Sequence, residues 1–177
     1  ADGSPYWVSS DYAGAEFLID AAERPVASGS DYDDFRSGAA HWLEDYALFA
    51  ALRASQRGAA WQDWPVALRE REPAALAAAR AEHAVAIEHC CAAQFAFDVQ
   101  WQRLREHAAE RGIRLFGDLP IYVAPDSAET WAHREQFRLD ACGHPAVVAG
   151  VPPDYFATDG QLWGNPLYDW DAQRRTM

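Results

Sequence analysis

The chain has 177 residues, half of them apolar and 13% aromatic, which excludes a disordered chain and suffices for one domain of ordinary size. Its net charge is -12 and all 15 of its positive charges are Arg, so we predict no nucleic-acid partner, because phosphate binding needs neutralising cations. The same charge disfavours contact with an acidic membrane surface, and no apolar run approaches the length of a membrane span.

The first half of the chain is predicted to be mainly helical after an irregular start at residues 1–30. Over residues 31–55 apolar side chains recur at steps of three and four, which predicts a helix with one apolar face. The segment Trp61–Pro65 is expected to form a loop, because Pro65 biases Trp64 away from helical geometry.

Residues 73–111 carry the longest helical pattern. This stretch is long for one helix of a globular protein, so we expect two helices or a bend, with the pattern slipping near residues 89–95. Gly112 stands where a C-terminal helix cap is expected. The period then changes, and Ile113–Asp118 is predicted to be a short buried strand of an α/β repeat.

The last part of the chain is predicted to be mostly loop. Asp126–Glu129 resembles a capping box and predicts the start of a short helix. From Asp140 to Trp170, Gly and Pro interrupt the chain repeatedly and no period holds. A loop of this length with many aromatic residues is uncommon in a compact domain unless it has a function.

Asp118 is the first candidate for chemistry. A carboxylate at the C-terminal end of a parallel strand lies where α/β barrels place their active sites. The alternative is that Asp118 braces the following loop by accepting hydrogen bonds from backbone N–H groups.

The stretch Gly150–Trp170 is the second candidate. It intersperses flat aromatic faces with hydrogen-bonding side chains. Sugars need that mixture, because their C–H faces stack on rings while their hydroxyls seek polar partners. The alternative is a loop whose aromatic side chains only fasten it to the domain. The candidate side chains are Asp154, Tyr155, Phe156, Gln161, Trp163, Asn165, Tyr168 and Trp170.

The cysteine and histidine pattern predicts no metal site. Cys90, Cys91 and Cys142 lack zinc-site spacing, and the six histidines lack ligand spacing. Cys90 and Cys91 are expected to be small apolar fillers on a helix, because the alternative, a redox pair between neighbours, is geometrically awkward. Reduced thiols, and the lack of a visible signal peptide, favour a cytoplasmic protein.

Two strings carry a specific family resemblance. GDLPIYVAPDSAETWAH, from Gly117, and GVPPDYFATDGQLWGNPLYDW, from Gly150, resemble the 4-α-glucanotransferases, also called amylomaltases or disproportionating enzymes. Upstream strings such as SPYWVSSDYAG and HWLEDYALFAAL extend the resemblance over most of the chain from Ser4 onward. The fold implied is α/β, a (β/α)8 TIM barrel with helical insertions, here a partial barrel truncated before the catalytic strands.

The resemblance also implies an activity. Such enzymes transfer α-1,4-glucan segments to the 4-OH of an acceptor glucose or maltooligosaccharide by a retaining double displacement that uses two carboxylates. No cofactor or metal is implied. The family's nucleophile lies in an R-x-D-H motif that this chain lacks, so we expect no catalytic residue in this fragment and no activity from it alone.

The resemblance further implies an α-glucan or maltooligosaccharide as partner and a set of residues that bind it. Asp118 matches an Asp that lines the sugar-binding base of the cleft, and Tyr155 and Phe156 match an aromatic pair on a loop arching over it. The implied substrate-binding residues are Tyr6, Asp118, Asp154, Tyr155, Phe156, Gln161, Trp163 and Asn165.

We therefore interpret the chain as an N-terminal fragment of a longer enzyme. Residues 1–177 would form one partial catalytic domain, with an irregular segment at 1–30, a mainly helical part at 31–111, and a barrel strand, short helix and substrate loop at 112–177. Two alternatives are a glucan-binding module without catalysis and a non-functional gene fragment. Because most barrel strands would be missing, we expect marginal stability or association in isolation.

Overall fold

The computed structural model describes residues 29–176 of the chain. The helices within that range are α1 (Ser30–Ser55), α2 (Val66–Arg69), α3 (Pro73–Glu82), α4 (Ala84–Glu110), α5 (Ala128–Ala132) and α6 (Trp170–Thr176). Two strands, β1 (Val148–Val151) and β2 (Gln161–Pro166), pair antiparallel. Short 3-10 turns cover Trp61–Asp63 and Arg134–Gln136.

Helices α1 and α4 pack against each other and form the first of two apolar clusters. Asp31 and Asp33 lie in the first turn of α1 and Arg53 in its last turn, an order that suits the helix dipole. The ring of Tyr32 meets the ring of Phe95 on α4, with centroids 5.4 Å apart. The helix predicted over residues 31–55 is confirmed as α1. The buried members of the cluster are Tyr32, Ala39, Leu43, Ala47, Cys91 and Phe95.

The second cluster lies where the C-terminal half of α1 meets the first 3-10 turn, α3 and α5. Trp64 has the extended backbone predicted from Pro65, with φ −69° and ψ 161°. Its ring lies 5.3 Å from that of Phe49 and 5.6 Å from that of Trp131. The buried members of the cluster are Leu48, Phe49, Leu52, Trp61, Trp64, Leu76, Ala79 and Trp131.

The long helical stretch is divided at His83, where α3 ends and α4 begins. The division is predicted from the sequence, but the structure places it upstream of residues 89–95. Helix α4 ends at Glu110, and Gly112, with φ +67°, lies in the cap that follows, as predicted. The N–H groups of Gly112 and Ile113 donate to carbonyls of the last helical turn at 3.0 and 2.9 Å, the pattern of a glycine cap.

The cysteine on α4 that faces α1 is a packing residue. Cys91 is fully buried in the first cluster, and burial raises the pKa of its thiol to about 11, so the thiol stays protonated at neutral pH. Cys90, Cys91 and Cys142 are all free of disulfides. The interpretation of Cys91 as an apolar filler is confirmed.

The prediction of a buried strand at Ile113–Asp118 is wrong. Residues 113–118 form no strand and are exposed, Phe116 completely so. A parallel strand needs neighbouring strands to satisfy its N–H and carbonyl groups and helices to cover its faces, and no strand within residues 29–176 pairs with it. The described part of the chain is therefore an α/β piece with few strands, whose sheet is antiparallel.

Helix α5 begins one residue later than predicted. Ser127, rather than Asp126, is the N-cap residue: its Oγ accepts the N–H of Thr130 at 3.3 Å, and Thr130 Oγ1 accepts the N–H of Ser127 at 3.4 Å. Asp126 instead accepts the N–H of Trp61 at 3.2 Å and pairs with Arg53 at 3.2 Å. These contacts fix the start of α5 against the end of α1.

The region from Asp140 to Trp170 contains more regular structure than the predicted loop. Strands β1 and β2 lie within it, and isolated antiparallel bridges join Phe137 to Tyr168 and Leu139 to Pro145. The strands contain Gly and Pro, so their sequence shows no apolar alternation from which a strand could be predicted. No helix in the described part of the chain has both the length and the apolarity needed to span a membrane.

Candidate functional site

The hairpin formed by β1 and β2, residues 148–166, carries most of the candidate side chains. Its strands approach closely where they enter the loop 152–160. A Cβ on Gly150 would lie 2.6 Å from the carbonyl oxygen of Gln161. Gly160 has φ +72°, and a Cβ there would lie 2.5 Å from the carbonyl oxygen of Val151. Glycine is therefore required at both positions to close the loop.

The loop 152–160 is held by the side chain of Asp154. Its Oδ1 accepts the N–H groups of Phe156 at 2.9 Å and Ala157 at 2.7 Å, and its own N–H donates to the Ala157 carbonyl at 3.0 Å. This turn presents Tyr155 and Phe156 to solvent, 94% and 90% exposed, with their rings perpendicular and 5.4 Å apart. Asp154 therefore orders the loop, and the two rings are free to stack on a ligand.

The two strands are out of step in the middle of the hairpin. Between two consecutive residue pairs of the hairpin, one residue of β1 lies opposite three residues of β2. The surplus lies at Trp163–Asn165, where Gly164 adopts φ +80°. Because such bulges change the direction of neighbouring side chains, Trp163 and Asn165 both contact residues 121–123, hereafter the 121–123 segment.

Two hydrogen bonds fasten the 121–123 segment to the hairpin and to the residues after it. Asn165 Nδ2 donates to the carbonyl of Val123 at 2.8 Å. Tyr168 OH donates to the carbonyl of Ile121 at 3.0 Å. Within residues 29–176 the segment pairs with no strand, and these side chains satisfy carbonyls that a sheet would otherwise satisfy.

The ring of Tyr122 contacts two other aromatic rings. It stacks on Tyr168 with centroids 6.3 Å apart and meets the edge of Trp163 at 5.9 Å. Burial raises the pKa of Tyr168, and the nearby Glu129 and Tyr122 raise it further, so its hydroxyl stays protonated and able to donate. Trp163 remains 47% exposed, and its Nε1 donates to Gln161 Oε1 at 2.8 Å.

The chain just after the 121–123 segment is anchored in the helical part. The carbonyl of Pro125 accepts three donors: Trp61 Nε1 at 3.0 Å, Gln62 Nε2 at 2.8 Å and Thr130 Oγ1 at 2.9 Å. Trp61 and Thr130 are fully buried. The segment is therefore held from both sides, by the hairpin and by the second apolar cluster.

The structure brings the sequence-predicted residues together only in part. Asp118 is exposed, three residues before Ile121, and Tyr6 lies outside the described residues. Asp154, Gln161 and Asn165, predicted from the resemblance to contact sugar, each have an intramolecular hydrogen-bond partner. Sequence reasoning missed Tyr122; its position shortly after Asp118 was the only signal available.

The arrangement suits binding of a ligand that has both flat apolar faces and hydroxyl groups. Exposed rings supply stacking surfaces, and carboxylate and amide groups beside them supply hydrogen-bonding partners. Within residues 29–176 no group of three or more His, Cys, Asp or Glu side chains is arranged to hold a metal ion.

The sequence matches a family model described as 4-alpha-glucanotransferase over residues 15–177. It is 52% identical over 141 residues to a 4-alpha-glucanotransferase of Thermus thermophilus, covering 80% of this chain and 28% of that protein. A chloroplastic/amyloplastic 4-alpha-glucanotransferase of Solanum tuberosum is 43% identical over 164 residues, or 89% of this chain and 28% of its own length.

A solved structure gives the same result. An amylomaltase from Streptococcus agalactiae, in complex with acarbose, superposes with a TM-score of 0.77 at 41% identity. The match covers 81% of this chain and 29% of that one. The chain thus spans about 28% of the length of the Thermus thermophilus and Solanum tuberosum relatives.

Proposed function

The chain belongs to the 4-alpha-glucanotransferase family, and from that premise we propose that residues 1–177 form part of the catalytic domain of such an enzyme. The enzyme transfers α-1,4-glucan segments to the 4-OH of an acceptor glucose or maltooligosaccharide by a retaining double displacement. The hairpin at residues 148–166 and the 121–123 segment contribute to binding of the glucan. The whole domain is a TIM barrel, of which this chain supplies a part.

One observation carries this proposal: a preordered loop and hairpin present Tyr155, Phe156 and Trp163 as exposed rings. A glucose unit offers an apolar face to such a ring, and its hydroxyls take hydrogen bonds from polar groups alongside. The bound acarbose in the Streptococcus agalactiae relative is consistent with an α-glucan as the ligand here. We assign Asp118 to hydrogen bonds with hydroxyl groups of the same glucan. Tyr6 is assigned to contact with the sugar that accepts the transferred segment.

Neither Asp118 nor Asp154 is assigned a catalytic role. The retaining scheme needs one carboxylate as nucleophile and one as acid and then base. Asp154 is engaged by two backbone N–H groups, and Asp118 is exposed, without the dry surroundings that favour a general acid. Residues of this chain bind and orient the glucan, and we assign neither catalytic carboxylate to them.

The partner is an α-glucan or maltooligosaccharide, with no nucleic acid and no membrane. The compartment we propose is the cytoplasm, in keeping with the reduced thiols expected from the sequence. The bond-forming chemistry uses carboxylates and requires no metal or organic cofactor.

The proposal is tested with the protein at its full natural length. Incubated with maltotriose, it is expected to release glucose and form longer maltooligosaccharides. Binding is measured by calorimetry with thio-linked maltoheptaose, whose S-glycosidic bonds are not cleaved. Trp163→Ala should weaken this binding about tenfold through loss of one stacking face. Trp101→Ala, which removes an exposed Trp on α4, should leave it unchanged.

The outcomes separate the candidate functions. A protein that binds the thio-linked sugar but transfers nothing is a glucan-binding module. One that neither binds nor transfers contradicts the proposal outright. Equal losses from Trp163→Ala and Trp101→Ala would place the binding site elsewhere than on the hairpin.

A further inference from the structure

The 121–123 segment is held to the hairpin by side chains rather than by strand pairing. Resting on the proposed function, we infer that Asn165 and Tyr168 are positioning residues. They fix the segment that follows Asp118 relative to the hairpin that presents Tyr155, Phe156 and Trp163. Asn165 acts on the glucan through this contact with the backbone.

The geometry at Asn165 assigns its amide nitrogen to the backbone. Nδ2 donates to the Val123 carbonyl at 2.8 Å, across 42 positions of sequence, and the side chain is half-buried. The bulge at Gly164 directs the side chain toward Val123, because it places surplus residues of β2 opposite β1. This bond uses one of the two N–H groups of the amide and fixes the direction of the side chain toward Val123.

Tyr168 secures the other end of the same segment. Its hydroxyl donates to the Ile121 carbonyl at 3.0 Å, and its ring is backed by Phe137 and Trp170, each with centroids 5.2 Å away. The ring of Tyr122 stacks on Tyr168 between these two carbonyl contacts. Three consecutive residues, 121, 122 and 123, are thus each held by a side chain from the hairpin or the residues just after it.

The consequence concerns ligands that contact both parts of the site. Asp118 lies only three residues before Ile121, so the position of the held segment limits where its carboxylate can lie. A long glucan can contact both Asp118 and the exposed rings. It binds more tightly when the distance between them is fixed before binding, because ordering the segment would otherwise cost part of the binding free energy. A short glucan that meets one part alone loses little when the contact is broken.

The test uses the protein at its natural length and calorimetry with thio-linked maltotriose and thio-linked maltoheptaose. Asn165→Asp replaces the donor with a carboxylate facing a carbonyl. At pH 7 it should weaken maltoheptaose binding about tenfold and maltotriose binding less than twofold. Lowering the pH to 5 should restore much of the loss, because a protonated Asp can again donate to Val123 and the acceptor beside it favours the protonated form.

Two further variants keep the result interpretable. Gln56→Glu makes the same amide-to-carboxylate change at the end of α1, away from the hairpin, and should bind both sugars like the parent protein at both pH values. Tyr168→Phe removes only the hydroxyl and keeps the ring, so it should fold normally and show a smaller loss with the same dependence on sugar length. Thermal melts of every variant check the fold.

The failures are distinguishable. If the parent protein does not bind thio-linked maltoheptaose, the proposed function is wrong. If it binds and both variants match it, the positioning role is wrong. If Asn165→Asp weakens both sugars equally without recovery at pH 5, Asn165 contacts sugar directly or supports only the fold, and the inference is again overturned.

Discussion

At the scale of single residues, Trp61 joins the helical part to the candidate site. It is fully buried, and its Nε1 donates to both the Pro125 carbonyl and Thr130 Oγ1. The guanidinium of Arg134 lies 5.1 Å from the centre of its ring. Gly143 has φ +89°, and a Cβ added there would overlap the same ring. A glycine at this position is needed both for its backbone conformation and for its lack of a side chain.

Gly143→Ala should therefore destabilise the protein strongly. The new methyl group would overlap the six-membered ring of Trp61 in a backbone conformation that disfavours Ala, and we expect a loss of about 2–5 kcal/mol in the free energy of unfolding. Gly58→Ala is the matched control. Gly58 has φ +80° with open space around it, so only the conformational cost of about 1 kcal/mol remains. Urea unfolding measures both, and equal losses would contradict the role assigned to the Trp61 contact.

Asp140 orders the turn that carries Gly143. Its Oδ1 accepts the N–H groups of Cys142 at 2.8 Å and His144 at 2.9 Å. These backbone donors, His144 first, hold the pKa of the Asp140 carboxyl below its ordinary value of 3.8. Because the folded pKa is the lower one, the stability that the ionised group contributes is complete above pH 3.8 and is lost as the pH falls through the folded value.

Asp140→Asn isolates that contribution, since an amide oxygen still accepts two N–H groups but does not titrate in this range. We expect the parent protein to be the more stable of the two at pH 7, and the difference to shrink steadily as urea unfolding is repeated down to pH 3. A difference that stays constant with pH would show that the charge of Asp140 contributes nothing to the turn.

At the scale of elements, the helices could be predicted because their determinants are local. The apolar period of α1, the capping glycine after α4 and Pro73 in the first turn of α3 act within a few residues. Two adjacent carboxylates on α1 pair with different arginines, because neighbours on a helix point in different directions. Glu44 pairs with Arg36 at 2.7 Å and Asp45 with Arg71 at 2.8 Å. Arg36 in turn reaches Glu88 on α4 at 3.0 Å.

The features that could not be predicted depend on distant partners. The apolar run at Ile113–Asp118 has the composition of a buried strand, but burial requires neighbouring strands that composition does not specify. The role of Asn165 depends on a bulge, since a regular hairpin would not place surplus residues at 163–165. The residue types of the candidate site were thus predictable, whereas the division between ligand-binding and positioning roles was not.

At the scale of the whole molecule, two surfaces of opposite character coexist. The net charge of -12 favours solubility through mutual repulsion. The stretch from residue 113 to 121 nevertheless exposes a run of large apolar side chains and carries no strand pairing within the described residues. Unpaired backbone beside exposed apolar side chains is a common site of association between chains. The exposed apolar residues of this stretch are Ile113, Leu115, Phe116, Leu119 and Ile121.

The 177-residue chain prepared by itself should therefore associate through this stretch. Sedimentation velocity over a range of concentrations should show oligomers, and added salt should increase them, because it screens the repulsion but not the apolar contact. The double variant Phe116→Ser, Leu119→Ser should be largely monomeric. Val85→Ser, which removes an exposed apolar side chain from α4, should associate like the parent chain. A sharp, reversible melt of a monomer, independent of concentration, would show instead that the helical clusters alone make the chain self-sufficient.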